Sequence, residues 1–166
     1  MKKVLIVLVA VALCMVLVIV TFLGSVLNEE EQNGLDCLMQ TKRMMKNPDS
    51  FKLYDTMFMI KKYDENHQLL YTYTIFRYGG TNGYGAMVAS TAVFKNGTYL
   101  MDLDEELQED SPNYNDQFIF SVDWAAYKSY NYILGNNNVQ NTGFETVELN
   151  RRKIKRVMWF TQLLGG

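Results

Sequence analysis

Side chains able to do acid–base or nucleophilic chemistry are few in this chain. His67 is the single histidine among 166 residues, and the two cysteines are Cys14 and Cys37. A serine or cysteine nucleophile activated by an imidazole would have to use His67, which lies in the polar segment 64–67. Catalytic zinc sites need several nitrogen or sulfur ligands. The sequence therefore predicts no catalytic residue, no metal site and no cofactor.

Two segments suggest ligand binding, but their spacing does not support it. The glycines of 79–85 are not followed by the Lys-[Ser/Thr] pair of a phosphate-binding loop, and a β-rich run begins at Ala86 where a dinucleotide site needs a helix. We expect a strand connection with positive φ values there, with Tyr78 and Tyr84 as a candidate ligand edge. The acidic segment 102–110 lacks the glycine and glutamate positions of an EF-hand, which favours a solvated loop.

The sharpest charge feature is a basic run near the C-terminus. It consists of Arg151, Arg152, Lys153, Lys155 and Arg156. On a helix, Ile154, Val157 and Met158 share one side and the cations spread over much of the rest. The run is either a solvated outer face or a contact for an anionic surface, such as lipid or a wall polyanion. Trp159 and Phe160 next to it suit either a core or an interface.

The location of these residues is predicted by the start of the chain. Lys2 and Lys3 precede an apolar run from Val4 to Leu23, and a helix of about 20 residues spans a hydrocarbon core of about 30 Å. The run exceeds a signal-peptide core of about 7–15 residues, and its far end, over 21–26, has bulky residues where a signal peptidase needs small ones. We therefore expect residues 1–27 to form an uncleaved anchor that contacts membrane lipid through residues 4–23. Secretion after signal cleavage is the alternative.

Orientation and partners follow from the charges. No Lys or Arg occurs between Lys3 and Lys42, so the positive-inside rule places the N-terminus in the cytoplasm and residues 28–166 outside. Cys14 then lies in the membrane, which leaves Cys37 alone in the outer domain without an internal disulfide partner. A net charge of −2 gives no general attraction to nucleic acid. The expected partners are membrane lipid and an unknown protein or other cell-envelope component.

Residues 28–166 are enough for one α+β domain with its own core. Asn28 is a candidate helix cap, and the apolar spacing predicts a helix from about Gly34 to Lys46. Alternating residues and turn signals then predict an antiparallel meander sheet with the helix packed on it. The remaining expectations are a hairpin turn at 64–67, a tight turn at Asn96-Gly97, a helix over 123–134, a loop at 136–138, a strand over 144–149 and a C-terminal helix over 151–164, capped by Asn150.

Three short segments carry a resemblance to a known group of proteins. They are Lys46-Asn47-Pro48-Asp49-Ser50-Phe51, Thr81-Asn82-Gly83-Tyr84-Gly85 and Asn150-Arg151-Arg152-Lys153-Ile154. Their order resembles that of small membrane-anchored or lipoprotein-like extracytoplasmic bacterial domains of unknown function. The resemblance covers roughly residues 35–157 and departs from the pattern in an insertion-like region over 102–142. It implies a fold and a location but carries no activity.

The sequence thus favours a membrane-anchored, extracytoplasmic, non-enzymatic binding domain of unknown ligand. A small secreted or surface hydrolase is the alternative. A pilin-like structural subunit is a further alternative, since a long apolar helix feeds a sheet. Such subunits usually carry Gly or Ala before the run and Glu at its fifth position, where this chain has Lys3 and Leu8.

Overall fold

The structure is a computed structural model that describes residues 6–7, 9–13, 16, 26–103, 105–107, 109–134 and 143–163. For 55–56 and 130–134 the description covers the backbone alone. Within these residues, no helix combines the length and the apolar character that crossing a bilayer requires. Most of the predicted membrane segment 4–23, including Cys14, lies outside the described residues, and those of its residues that are described are helical.

The first helix after this run, α1 (Glu29–Met44), is fixed by its first turn. Asn28 Oδ1 accepts the backbone N–H of Glu31 at 2.8 Å, and the Asn28 N–H donates to Glu31 Oε2 at 3.0 Å. This reciprocal capping box satisfies two amide groups of the helix start, so the predicted cap is confirmed. The predicted start near Gly34 is wrong, because Gly34 is buried within α1 and Leu149 Cδ1 lies 2.8 Å from where its Cβ would be.

In the part of the chain that the structure describes, five strands form one antiparallel sheet, and the predicted α+β class is confirmed. They are β1 (Lys52–Tyr63), β2 (Leu69–Thr81), β3 (Met87–Lys95), β4 (Thr98–Asp102) and β5 (Phe144–Glu148). The spatial order is β4-β3-β2-β1-β5, with β1 to β4 in meander order and β5 returning beside β1. A 3₁₀ turn over Pro48–Ser50 joins α1 to β1.

Two more helices flank β5 along the chain. Helix α2 (Tyr114–Leu134) precedes it and begins earlier than the predicted start at Asp123. Helix α3 (Arg151–Leu163) follows it, as predicted, after the cap residue Asn150. The predicted loop over 136–138 lies outside the described residues.

The turns of the meander are local features that the sequence specifies well. The predicted hairpin at 64–67 and the turn at Asn96-Gly97 are confirmed, and the latter has φ values of 50° and 78°. The glycine stretch differs from its prediction, because Gly79 and Gly80 are paired residues of β2. A Cβ on Gly79 would lie 2.7 Å from the ring of Tyr54. That glycine therefore serves close packing, and positive φ is confined there to Gly85, at 79°.

The sheet separates two buried clusters. One lies between the sheet and the pair α1 and α3, and its residues are Leu35, Cys37, Leu38, Leu53, Met57, Met59, Phe76, Ala92, Phe94, Leu149 and Ile154. The other lies under α2, and its residues are Ile60, Tyr73, Ile75, Val93, Leu100, Met101, Phe120 and Phe144. Neighbouring residues of β2, such as Ile75 and Phe76, enter opposite clusters because strand side chains alternate between faces.

A polar contact fixes α2 on its face of the sheet. Asp123 Oδ2 accepts the hydroxyls of Tyr71 at 2.7 Å and Tyr73 at 3.1 Å, and Lys62 Nζ lies 3.8 Å from Asp123 Oδ1. Burial and the adjacent carboxylate raise the pKa of Tyr71 to about 12. Because the tyrosines precede Asp123 by about 50 positions, sequence spacing gives no sign of this pairing.

Candidate interaction surface on the C-terminal helix

The basic run forms the first turns of α3, which begins at a side-chain cap. Asn150 Oδ1 accepts the backbone N–H of Lys153 at 3.2 Å. Ile154 is fully buried, and Val157 and Met158 pack at the edge of the same cluster. One side of α3 therefore packs against the domain. The position of each cation around the helix relative to this side determines its exposure to solvent.

Two of the five cations bind backbone carbonyls of β1. Arg151 Nη1 donates to Tyr54 O at 3.1 Å, and Lys155 Nζ donates to Leu53 O at 2.9 Å. Strand β5 pairs with β1 only over 58–62, so these carbonyls belong to the part of β1 beyond that pairing. Arg151 and Lys155 therefore anchor α3 to the first residues of β1, a role that their charge alone does not indicate.

A third cation joins α3 to the start of α1. Lys153 Nζ lies 2.6 Å from Oε2 of Glu31, the same carboxylate that accepts the Asn28 N–H in the capping box. The side chains retain 24 % and 9 % of their exposure, so the pair is largely removed from water. The structure thus ties the C-terminal helix to the residues that follow the N-terminal apolar run.

This ion pair predicts a measurable loss of stability. We expect Lys153→Met to lower the free energy of unfolding by about 1–3 kcal/mol, because the Glu31 carboxylate stays buried without its cation. Urea unfolding of the full chain, followed by tryptophan fluorescence, measures the change. The matched control is Arg152→Met, an exposed neighbour on α3, with an expected change within about 0.5 kcal/mol. Equal effects of the two variants would contradict a structural role for Lys153.

The remaining two cations, Arg152 and Arg156, are exposed. Neither forms an ion pair with another residue that the structure describes. They share their side of α3 with three exposed apolar residues, Trp159, Phe160 and Leu163, which are 56 %, 37 % and 61 % exposed. At about 100° per residue these five side chains fall within an arc of roughly 100°. We call Arg152, Arg156, Trp159, Phe160 and Leu163 the α3 stripe.

No family model, curated protein or solved structure matches this chain. The resemblance to small extracytoplasmic bacterial domains therefore stays a prediction.

The two tyrosines of the predicted ligand edge lie in different surroundings. The Tyr78 ring stacks on Phe51 at 6.2 Å, and its hydroxyl donates to Asp102 Oδ2 at 3.2 Å. Burial raises the pKa of Tyr78 to about 12. Tyr84 is 97 % exposed in the β2–β3 turn. Tyr78 is thus part of the packing around the first cluster, and Tyr84 alone is freely accessible.

His67 and Cys37, the two side chains best suited to catalysis, differ in their exposure to solvent. His67 is exposed in the β1–β2 turn. Cys37 is fully buried, its Sγ lies 3.6 Å from Asn33 Oδ1, and burial raises the pKa of its thiol to about 12. A thiol in that state is a poor nucleophile. The structure therefore does not bring Cys37 and His67 together as a nucleophile and base.

The acidic segment 102–110 is in part structural. Asp102 accepts the Tyr78 hydroxyl, whereas Glu105, Glu106, Glu109 and Asp110 are exposed and Asp104 lies outside the described residues. Among the residues that the structure describes, no group of three or more His, Cys, Asp or Glu side chains is placed to hold a metal ion.

Two open depressions of about 350 Å³ each occur on the described surface. One lies at the start of α3 and is lined by Glu148, Leu149, Asn150, Arg151 and Arg152. The other lies beside the first turn of α1, where Lys61 Nζ and Glu30 Oε1 are 2.9 Å apart. This contact lowers the pKa of Glu30 and raises that of Lys61. Each depression contains both signs of charge, so neither selects a ligand of one charge.

Proposed function

We propose that this chain is a membrane-tethered, extracytoplasmic domain that works by binding rather than by catalysis. One observation supports the membrane tether: the described residues of the N-terminal run are helical and expose their apolar side chains. The exposed fractions run from 49 % to 66 % for Ile6, Val7, Val9, Val11, Leu13 and Val16. Leu27 is the first described residue that packs against a buried cluster. Among the residues that the structure describes, these apolar side chains are not covered by the domain, which supports an apolar environment such as a bilayer for the run.

The surfaces of the domain favour binding over hydrolysis. The best hydrolase candidate, His67, is exposed on a turn, and Cys37 is closed inside the core. In contrast, the outer side of α2 exposes Phe118, Ile119 and Val122 at 52 %, 41 % and 55 %. Clustered apolar exposure of this kind is typical of contact surfaces. A protein or another cell-envelope component is the partner class that we propose for the domain.

Membrane extraction tests the tether. We expect the full chain to stay with lipid vesicles through an alkaline carbonate wash, and Val11→Arg/Leu13→Arg to be released, because each central arginine costs about 3 kcal/mol of insertion. The matched control is Leu69→Arg/Leu70→Arg, which changes two exposed leucines of β2 and should stay bound. Release of the unmodified chain, or retention of the Val11→Arg/Leu13→Arg variant, would overturn the tether.

Protease protection tests the orientation separately. With the N-terminus in the cytoplasm, protease added to spheroplasts of bacterial cells that express the chain should degrade residues 28–166. A cytoplasmic marker protein should survive the same treatment. Protection of the domain until the cells are lysed would contradict an extracytoplasmic location while leaving the tether itself in place.

A further inference from the structure

We infer that the α3 stripe lies on the anionic lipid surface of the membrane that holds the N-terminal run, and so gives the domain a second, peripheral membrane contact. This inference rests on the proposed tether and adds a partner for the C-terminal helix. Of the five cations in the basic run, only Arg152 and Arg156 belong to this proposed lipid contact.

The chemistry of the stripe fits a bilayer surface. Arg152 and Arg156 occupy its first half, and Trp159, Phe160 and Leu163 its second half. Helices that lie in the membrane interface place basic side chains against lipid phosphates and insert aromatic and leucine side chains among the upper acyl chains. Tryptophan is especially suited to the headgroup level because its ring is apolar and its N–H is polar.

The other residues of α3 leave this side of the helix open. Ile154, Val157 and Met158 face the first buried cluster, while Lys153 is held by Glu31. Glu148 shares the depression at the start of α3 with Arg152, but Arg151 lies in the same depression and offsets its charge. The exposed side therefore has an excess of positive charge, which is complementary to anionic lipid.

The fold also places α3 close to the tether. The Lys153–Glu31 contact of 2.6 Å fixes α3 against the first turn of α1. Glu31 follows Leu23 by eight positions, a length that reaches at most about 29 Å even when fully extended. Leu27, in the connecting segment, packs against the same cluster as Val157 and Met158. The stripe is thus held within reach of the surface from which the apolar run emerges.

A weak contact is enough in this arrangement. Tethering makes docking of the stripe intramolecular, with an effective concentration in the millimolar range for a short connection. Each arginine near an anionic surface strengthens binding several-fold, so loss of both is expected to lower the docking constant about 30-fold. An acidic protein offers similar charge but not an acyl region for Trp159, which is why the lipid surface is favoured.

The fluorescence of Trp159 tests the contact in the full chain. The chain is reconstituted into phosphatidylcholine vesicles, with or without phosphatidylglycerol, that carry shallow brominated lipid as a quencher. The Trp159→Phe variant gives the fluorescence of Trp124 alone, which is stacked between Phe120 and Tyr127. The fluorescence of the unmodified chain minus that of this variant reports on Trp159. We expect Trp159 to be quenched in anionic vesicles and to respond little in neutral ones. Arg152→Gln/Arg156→Gln should abolish most of this quenching.

The control variant is Arg43→Gln/Lys46→Gln, which removes two exposed cations at the other end of α1 and should leave the quenching unchanged. Equal quenching in both vesicle types, no quenching in either, or insensitivity to Arg152→Gln/Arg156→Gln would overturn the inference. A high-salt wash separates it from the tether. A chain that is tethered but undocked stays on the vesicles without Trp159 quenching, whereas a chain that is docked but not tethered is released.

Discussion

Phe76→Ala is expected to lower the free energy of unfolding by about 3–5 kcal/mol. Phe76 is fully buried at the centre of β2, opposite Met57 of β1 and Ala92 of β3. Its ring stacks on Phe94 at a centroid distance of 5.8 Å and meets Tyr78 edge-on at 6.2 Å. Truncation removes these contacts and leaves a cavity that flanking sheet backbone cannot close.

The measurement also tests whether the two clusters unfold together. Trp124 packs against the buried cluster that lies under α2, on the face of the sheet opposite Phe76. If the sheet couples both faces into one cooperative domain, urea unfolding followed by Trp124 fluorescence in a Trp159→Phe background should show the full loss. Leu70→Ala, at an exposed position of the same strand, is the control. An unshifted Trp124 transition in Phe76→Ala would mean that the faces unfold separately.

Local signals in the sequence predicted the fold well where a single short segment decides the geometry. Asn28 and Asn150 cap helices because an amide oxygen within the first turn can accept an orphan N–H. Asn96-Gly97 forms a tight turn because both residues tolerate positive φ. The helix start was wrongly predicted near Gly34 because the low helix propensity of glycine is outweighed there by the close approach of Leu149 in the core.

The contacts of the basic run were less predictable, because the charge of a side chain does not show which group it binds. Arg151, Lys153 and Lys155 are bound to β1 and α1 across sequence separations of about one hundred residues. Tertiary contacts of that range depend on how β5 brings α3 back beside β1. The apolar half of the α3 stripe was visible as Trp159 and Phe160, but a periodic apolar pattern does not distinguish a buried face from an exposed one.

The largest effect of pH is expected in alkali, where the domain should unfold between about pH 10 and 12. Burial raises the pKa of Cys37 from 9.0 to about 12, and of Tyr71 and Tyr78 from 10.0 to about 12. Burial and the adjacent carboxylates of Asp123 and Asp102 also raise the pKa values of Tyr73 and Tyr99. The folded state therefore keeps protons that the unfolded chain has already released.

The sign of the effect follows from this proton difference. The stabilisation is fully present below the unfolded pKa values of 9.0 and 10.0 and is lost as pH rises toward the folded values. Each group contributes up to about 1.4 kcal/mol per pH unit in this window. Together these losses act against the roughly 5–15 kcal/mol that stabilises a typical domain. Proton release and unfolding should consequently occur as one event.

Parallel titrations of the full chain check this expectation. The tyrosinate absorbance of Tyr73, taken as the difference between the chain with and without Tyr73→Phe, and Trp124 fluorescence, both in the Trp159→Phe background, should change at the same pH, above the ordinary tyrosine value of 10.0. Tyr73→Phe should make the loss of stability with pH shallower, because one buried proton no longer has to be released. Tyr84→Phe is the control, since the Tyr84 side chain is 97 % exposed, and this variant should leave the loss of stability with pH unchanged. Ionisation of Tyr73 near pH 10 while Trp124 fluorescence stays native would show that its buried hydroxyl does not oppose ionisation, and that Tyr73 opens to water without loss of the sheet.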